Sequence, residues 1–134
     1  IVFWSSGCTV CKRYGAVLRK LASSFGERAA LVVVASGSEE TPEAVRAALE
    51  EAKLRVPVLL DAEQEAAAVL GVRVTPTAFL VDAEGVLRYR GPIDDDRRAR
   101  SRDARELLRP AVEAVLAGKT VENGDVRPFG SALR

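Results

Sequence analysis

The sequence predicts an α/β fold: a central mixed β-sheet flanked by helices. Three observations carry this. Short apolar or β-branched runs at 1–4, 30–35 and 56–60 alternate with segments of helical period, and strands that alternate with helices pair in parallel. Two further runs, 78–81 and 86–90, flank the turn Asp82-Ala83-Glu84-Gly85 and read as an antiparallel hairpin. The chain has 134 residues, 48% hydrophobic and 29% charged, a length and composition that suit one folded domain spanning 1–134.

Each element has its own signal. Ile1-Val2-Phe3-Trp4 is a buried strand, closed by Ser5-Ser6-Gly7. Val10, Tyr14, Val17, Leu18, Leu21 and Phe25 fall on one face of a helix from about Cys8 to Phe25, with Gly26 as its stop. Ala30 to Ala35 reads as a central strand buried on both faces. Thr41-Pro42-Glu43 opens a helix after this second strand: Thr caps, Pro fits the first turn, and an acid meets the positive helix end. Val56 to Leu60 is the next strand, and Asp61 caps a short helix ending near Leu70-Gly71. Thr75-Pro76-Thr77 then leads into the hairpin. A last helix is expected from Ser101 to Ala117, kinked or split by Pro110. Residues 119–134 lack a period and are expected to lie extended on the domain.

Composition removes several function classes. With 20 basic and 19 acidic residues, no charge excess favours nucleic acid or an acidic membrane. There is no histidine, which removes imidazole base catalysis, histidine-ligated haem and the usual zinc sites, and no metal is expected. No apolar run approaches the ~18 residues that span a bilayer. Ile1 starts inside a strand without an initiating Met, so a signal peptide, an anchor or further domain residues are expected upstream.

The pointed feature is Cys8-Thr9-Val10-Cys11, which holds the only two cysteines, at a strand-to-helix junction. A thiol at a helix start meets unpaired backbone N–H groups and the positive end of the dipole. Both favour the reactive thiolate. A structural disulfide is the weaker reading, because a loop this small gains less than the ~3 kcal/mol of a 15-residue loop.

Phe3-Trp4, Cys8-x-x-Cys11, Thr75-Pro76-Thr77 and the hairpin from Phe79 to Tyr89 together resemble the thioredoxin fold. The helix at 41–53 and the segment Val56 to Asp61 resemble its TlpA/ResA-type and peroxiredoxin-like branch, and Tyr89 to Asp95 with Val115 to Lys119 resemble a bacterial redoxin group of the AhpC/TSA type. The resemblance implies a thiol–disulfide oxidoreductase. Cys8 is then the exposed nucleophile and Cys11 the resolving thiol. Thr75 and a cis Pro76 lie beside them and pair with an extended substrate, with Gly7, Thr9 and Val10 completing the substrate surface. It also implies no cofactor, a protein thiol or disulfide substrate, a redox partner protein, a monomer, and a bacterial extracytoplasmic or periplasmic location. Membrane contact would come only through an upstream anchor.

The chain departs from the pattern at several points. Val2 stands where thioredoxin carries a buried Asp, Gly7 where Trp is common, and Thr9-Val10 where Gly-Pro is found. Phe129-Gly130-Ser131 stands where some redoxins carry Gly-Cys. Two other functions stay open at this point. One is a thiol peroxidase with Cys8 peroxidatic, for which Ser5 fits a Thr/Ser position three residues before the cysteine. The other is a non-catalytic module docking through Asp94-Asp95-Asp96-Arg97-Arg98, a run that more often forms a solvated loop.

Overall fold

A computed structural model describes residues 1–97 and 103–134. Its order is β1 (Val2–Trp4), α1 (Thr9–Arg13), α2 (Gly15–Phe25), a 3₁₀ turn (Gly26–Arg28), β2 (Val33–Ser36), α3 (Pro42–Glu51), β3 (Val58–Asp61), α4 (Glu65–Val69), β4 (Val74–Thr75), β5 (Thr77–Val81), β6 (Leu87–Gly91), α5 (Leu108–Leu116) and β7 (Ser131–Ala132). Five strands form one sheet in the order β3-β2-β1-β5-β6. β2 lies parallel to β1 and β3, whereas β5 runs antiparallel to β1 and β6. The sheet is therefore mixed, as the alternation and the hairpin predict.

β1 is central because it can be buried on both sides. Successive side chains of a strand point to opposite faces. Val2 and Trp4 join Leu18, Leu21, Val45, Leu49, Tyr89 and Leu108 on one face. Phe3 joins Val34, Ala67, Val72 and Phe79 on the other, with the Phe3 and Phe79 rings edge-to-face at 5.6 Å. Burial of this kind contributes roughly 1.5–3 kcal/mol per large side chain.

Local signals behave as their chemistry dictates. Thr41 caps α3 by accepting the Ala44 N–H at 3.1 Å, and Pro42 fills the first turn. Asp61 accepts the N–H groups of Ala66 and Ala67 and the Ser36 hydroxyl, tying α4 to β2 and β3. Burial pushes its carboxyl up, but these hydrogen bonds outweigh that and hold it below the ordinary value.

Two expectations need correction. The helix from Cys8 to Phe25 is two helices, broken at Tyr14. The adjoining Gly15 has little helix preference. It also lets α2 approach the end of α3, where a Cβ would come within 3.1 Å of the Ala52 Cβ. Pro110 neither kinks nor splits the last helix, because α5 starts at Leu108 and Pro110 sits in its first turn, where no intrahelical N–H is needed. The expected start at Ser101 lies outside the described residues. The tail lies extended on the domain as expected, and within it a strand, β7, pairs antiparallel with β4 in a second, two-stranded sheet.

Candidate active site

The end of β1 delivers the chain through Ser5-Ser6-Gly7 to α1. Cys8 occupies the N-cap position, with its amide held by the Ser5 carbonyl at 3.1 Å. Cys8 and Cys11 are joined as a disulfide with Cα atoms 5.2 Å apart. The Cys11 N–H donates to Cys8 Sγ at 3.0 Å. A donor so placed favours negative charge on Cys8 when the bond is opened.

The second half of the site comes from β4. Cys8 Sγ lies 3.4 Å from the Thr75 carbonyl oxygen, and the Thr75–Pro76 peptide is cis, as expected. The fold thus brings two segments far apart in sequence to one sulfur. Gly7 is exposed with open space around it, Thr9 is exposed and Val10 half-buried. Cys8 itself is not exposed, which corrects the expectation: it is 3% accessible and Cys11 is 0%. Its Sγ is bonded to buried Cys11 and packs between the Cys11 N–H and the Thr75 carbonyl, and β7 runs beside it. Ser131 pairs with Thr75 and Ala132 with Val74, so the tail lies along the edge next to the sulfur. Ser5, Gly7, Cys8, Glu40, Thr75 and Ser131 line one cleft of about 500 Å³. A larger apolar groove of about 750 Å³, between α3 and β3, contains neither cysteine.

Glu40 is a site residue that sequence reasoning misses. It is 5% accessible, and its Oε1 accepts from the Ser5 hydroxyl, the Ser6 N–H and the Ser6 hydroxyl, each at 3.0 Å. Its Oε2 is buried without a partner. The only available signal is a position just before the Thr41 cap, and Glu39 beside it is exposed. The Ser5 hydroxyl therefore donates to Glu40, which leaves the position expected for a peroxidatic cysteine's neighbour otherwise engaged.

The acidic run is neither a free loop nor an interaction surface at its first residue. Asp94 is buried and accepts the Tyr14 hydroxyl at 2.6 Å, fixing the α1–α2 joint to the segment after β6. Burial raises the Asp94 carboxyl above its ordinary value, with Asp96 and Asp95 adding repulsion, against lowering by the Tyr14 hydrogen bond and the Asp96 N–H. Arg97 lies over the Phe129 ring at 5.3 Å. Arg98 falls outside the described residues.

Comparison with known proteins agrees with this geometry. The AhpC/TSA family profile matches residues 1–90. The chain belongs to the AhpC/TSA family. It is 32% identical over 93 residues to the thiol:disulfide interchange protein DsbE of Allochromatium vinosum, covering 68% of this chain and 50% of that protein. It is 29% identical over 83 residues to the thiol-disulfide oxidoreductase ResA of Bacillus anthracis, covering 62% and 47%. The chain thus spans about half the length of these relatives. A solved structure of a hypothetical protein from Sinorhizobium meliloti 1021 superposes with a TM-score of 0.87 at 34% identity, covering 98% of this chain and 76% of that one. The fold is thioredoxin-like.

Proposed function

We propose that residues 1–134 act as one thioredoxin-like unit that catalyses thiol–disulfide exchange with protein or small dithiol partners. The observation that carries this reading is the Cys8–Cys11 disulfide at the start of α1, with Cys8 Sγ 3.4 Å from the Thr75 carbonyl. In the reducing direction the Cys8 thiolate attacks one sulfur of a substrate disulfide. That bond breaks, a mixed disulfide forms, and one substrate thiolate leaves. The Cys11 thiolate then attacks Cys8 Sγ, closing the bond seen here and releasing the second substrate thiol. Two electrons pass from the pair to the substrate, and a redox partner protein restores them. The oxidising direction is the same sequence reversed.

In this reading Thr75 and Pro76 seat the substrate backbone, while Gly7, Thr9 and Val10 form the rim it crosses. No cofactor is needed. The similarity to DsbE and ResA supports a bacterial extracytoplasmic setting, and the unit acts as a monomer.

The test uses insulin and a small aromatic disulfide with the reduced protein. Turnover of the small disulfide is expected, lost to background in Cys8→Ser. Cys11→Ser should accumulate a mixed disulfide that dithiothreitol releases. Peroxide consumption without disulfide turnover would favour the peroxidase, and inactivity in both assays with Cys8 intact would favour a docking module.

A further inference from the structure

The edge that would receive a substrate is already filled by the protein's own chain. Ser131 pairs with Thr75 and Ala132 with Val74. The Leu133 N–H donates to the Arg73 carbonyl at 2.9 Å, and the Ser38 N–H donates to the Arg134 carbonyl at 2.8 Å. Residues 130–134 therefore bridge two loops on either side of Cys8, the one before β4 and the one after β2. Their approach is close enough to demand glycine twice. A Cβ on Gly130 would collide with the Thr75 carbonyl oxygen, and one on Gly37 would lie 3.0 Å from the Arg134 carbonyl.

The hold is local. β7 has two residues, pairs only with the two residues of β4, and lies outside the five-stranded sheet. Ser131 and Leu133 are half-buried, and Ala132 and Arg134 are exposed. Two residues lining the cleft beneath also carry buried polar atoms without partners, Glu40 Oε2 and Thr75 Oγ1. A permanent structural strand would be expected to satisfy such atoms.

From these observations, and resting on the exchange reading above, we propose that Gly130–Arg134 is a self-docked strand held in the polypeptide-receiving edge. A partner that fits this edge is an extended polypeptide running antiparallel to Val74–Thr75. It gains the cleft by displacing the strap and takes over its backbone pairing. The strap then discriminates between substrates. Folded or weakly binding chains are kept from Cys8, whereas extended chains that can replace both strand pairs are admitted. Small disulfides, which need no strand pairing, slip past with little penalty.

The experiment compares the wild type with Gly130→Val and with a chain ending at Phe129. Apparent affinity scales with the open fraction, so a strap closed nine-tenths of the time weakens polypeptide binding about tenfold. Both variants are expected to lower the KM for insulin by about that factor, with kcat and the small-disulfide rate within about twofold. The peptide Pro-Phe-Gly-Ser-Ala-Leu-Arg should inhibit the truncated protein competitively against insulin. An unchanged or raised insulin KM in a variant that melts like the wild type overturns the proposal.

A second measurement needs no strap variant. In Cys11→Ser carrying a polypeptide on Cys8, the Ser38 and Leu133 amides should exchange hydrogen faster than in the free protein. Unchanged protection there also overturns the strap, even if insulin is turned over. Failure of the wild type to reduce any disulfide overturns the exchange reading instead.

Discussion

Replacing Glu40 by alanine tests whether a buried carboxylate holds the loop that presents Cys8. Its Oε1 accepts three hydrogen bonds, from Ser5 and twice from Ser6. Because both serines are half-buried and can partly turn to water, each bond is taken at about 1 kcal/mol rather than the upper range for charged partners. Against the ~3 kcal/mol lost stands about 1 kcal/mol recovered by removing the unpaired Oε2. The net loss is about 2 kcal/mol, or roughly 6–8 °C in Tm for a chain of this size. Urea denaturation of the oxidised protein measures the stability, and small-disulfide reduction should fall several-fold as the Ser5–Gly7 loop loosens. Glu40→Gln keeps one acceptor oxygen and should lose only about half as much. An alanine variant within about 0.5 kcal/mol of wild type would refute the argument, since a loop anchored by three bonds cannot be that indifferent.

Two further outcomes follow from Asp61 and Asp94. Asp61→Ala removes the acceptor for Ala66, Ala67 and Ser36 and should cost about 2 kcal/mol at pH 7 by chemical denaturation. Because the Asp61 carboxyl is lowered in the folded state, its contribution is present above the ordinary value of 3.8 and disappears as pH falls through the lowered one; a cost independent of pH between 7 and 2 would contradict this. Asp94 has the opposite sign. Its carboxyl is raised, so the stability it contributes is present below 3.8 and lost as pH rises through the folded value. Asp94→Asn keeps an acceptor for Tyr14, and its stability relative to wild type should therefore improve between pH 3 and pH 7; a difference that stays constant, or reverses, would sink the claim.

Much of this architecture is legible in the sequence because the relevant signals are short-range. The Thr41-Pro42 start, the Asp61 cap, the hairpin turn at 82–85 and the cysteine pair at a strand-to-helix junction each depend on residues no more than six positions apart. What escapes depends on distant partners. Apolar spacing runs unbroken through Tyr14, so the break there is visible only once Ala52 lies against Gly15. Glu39 and Glu40 are chemically identical, and only the returning loop at Ser5–Ser6 decides which is buried. Pro110 reads as a helix breaker because the true start at Leu108 has no side-chain cap to announce it. Ser131-Ala132 has no strand pattern of its own, since two residues paired to two others cannot display a period.

Trp4 belongs to the same buried cluster as both cysteines, its indole N–H has no partner, and it is the only tryptophan in the chain. A disulfide quenches indole emission at short range, and dithiols do so less. The molecule thus carries its own optical gauge: indole brightness should follow the state of the sulfurs without any attached dye, and stopped-flow light emission could time their opening and closing in the untouched protein.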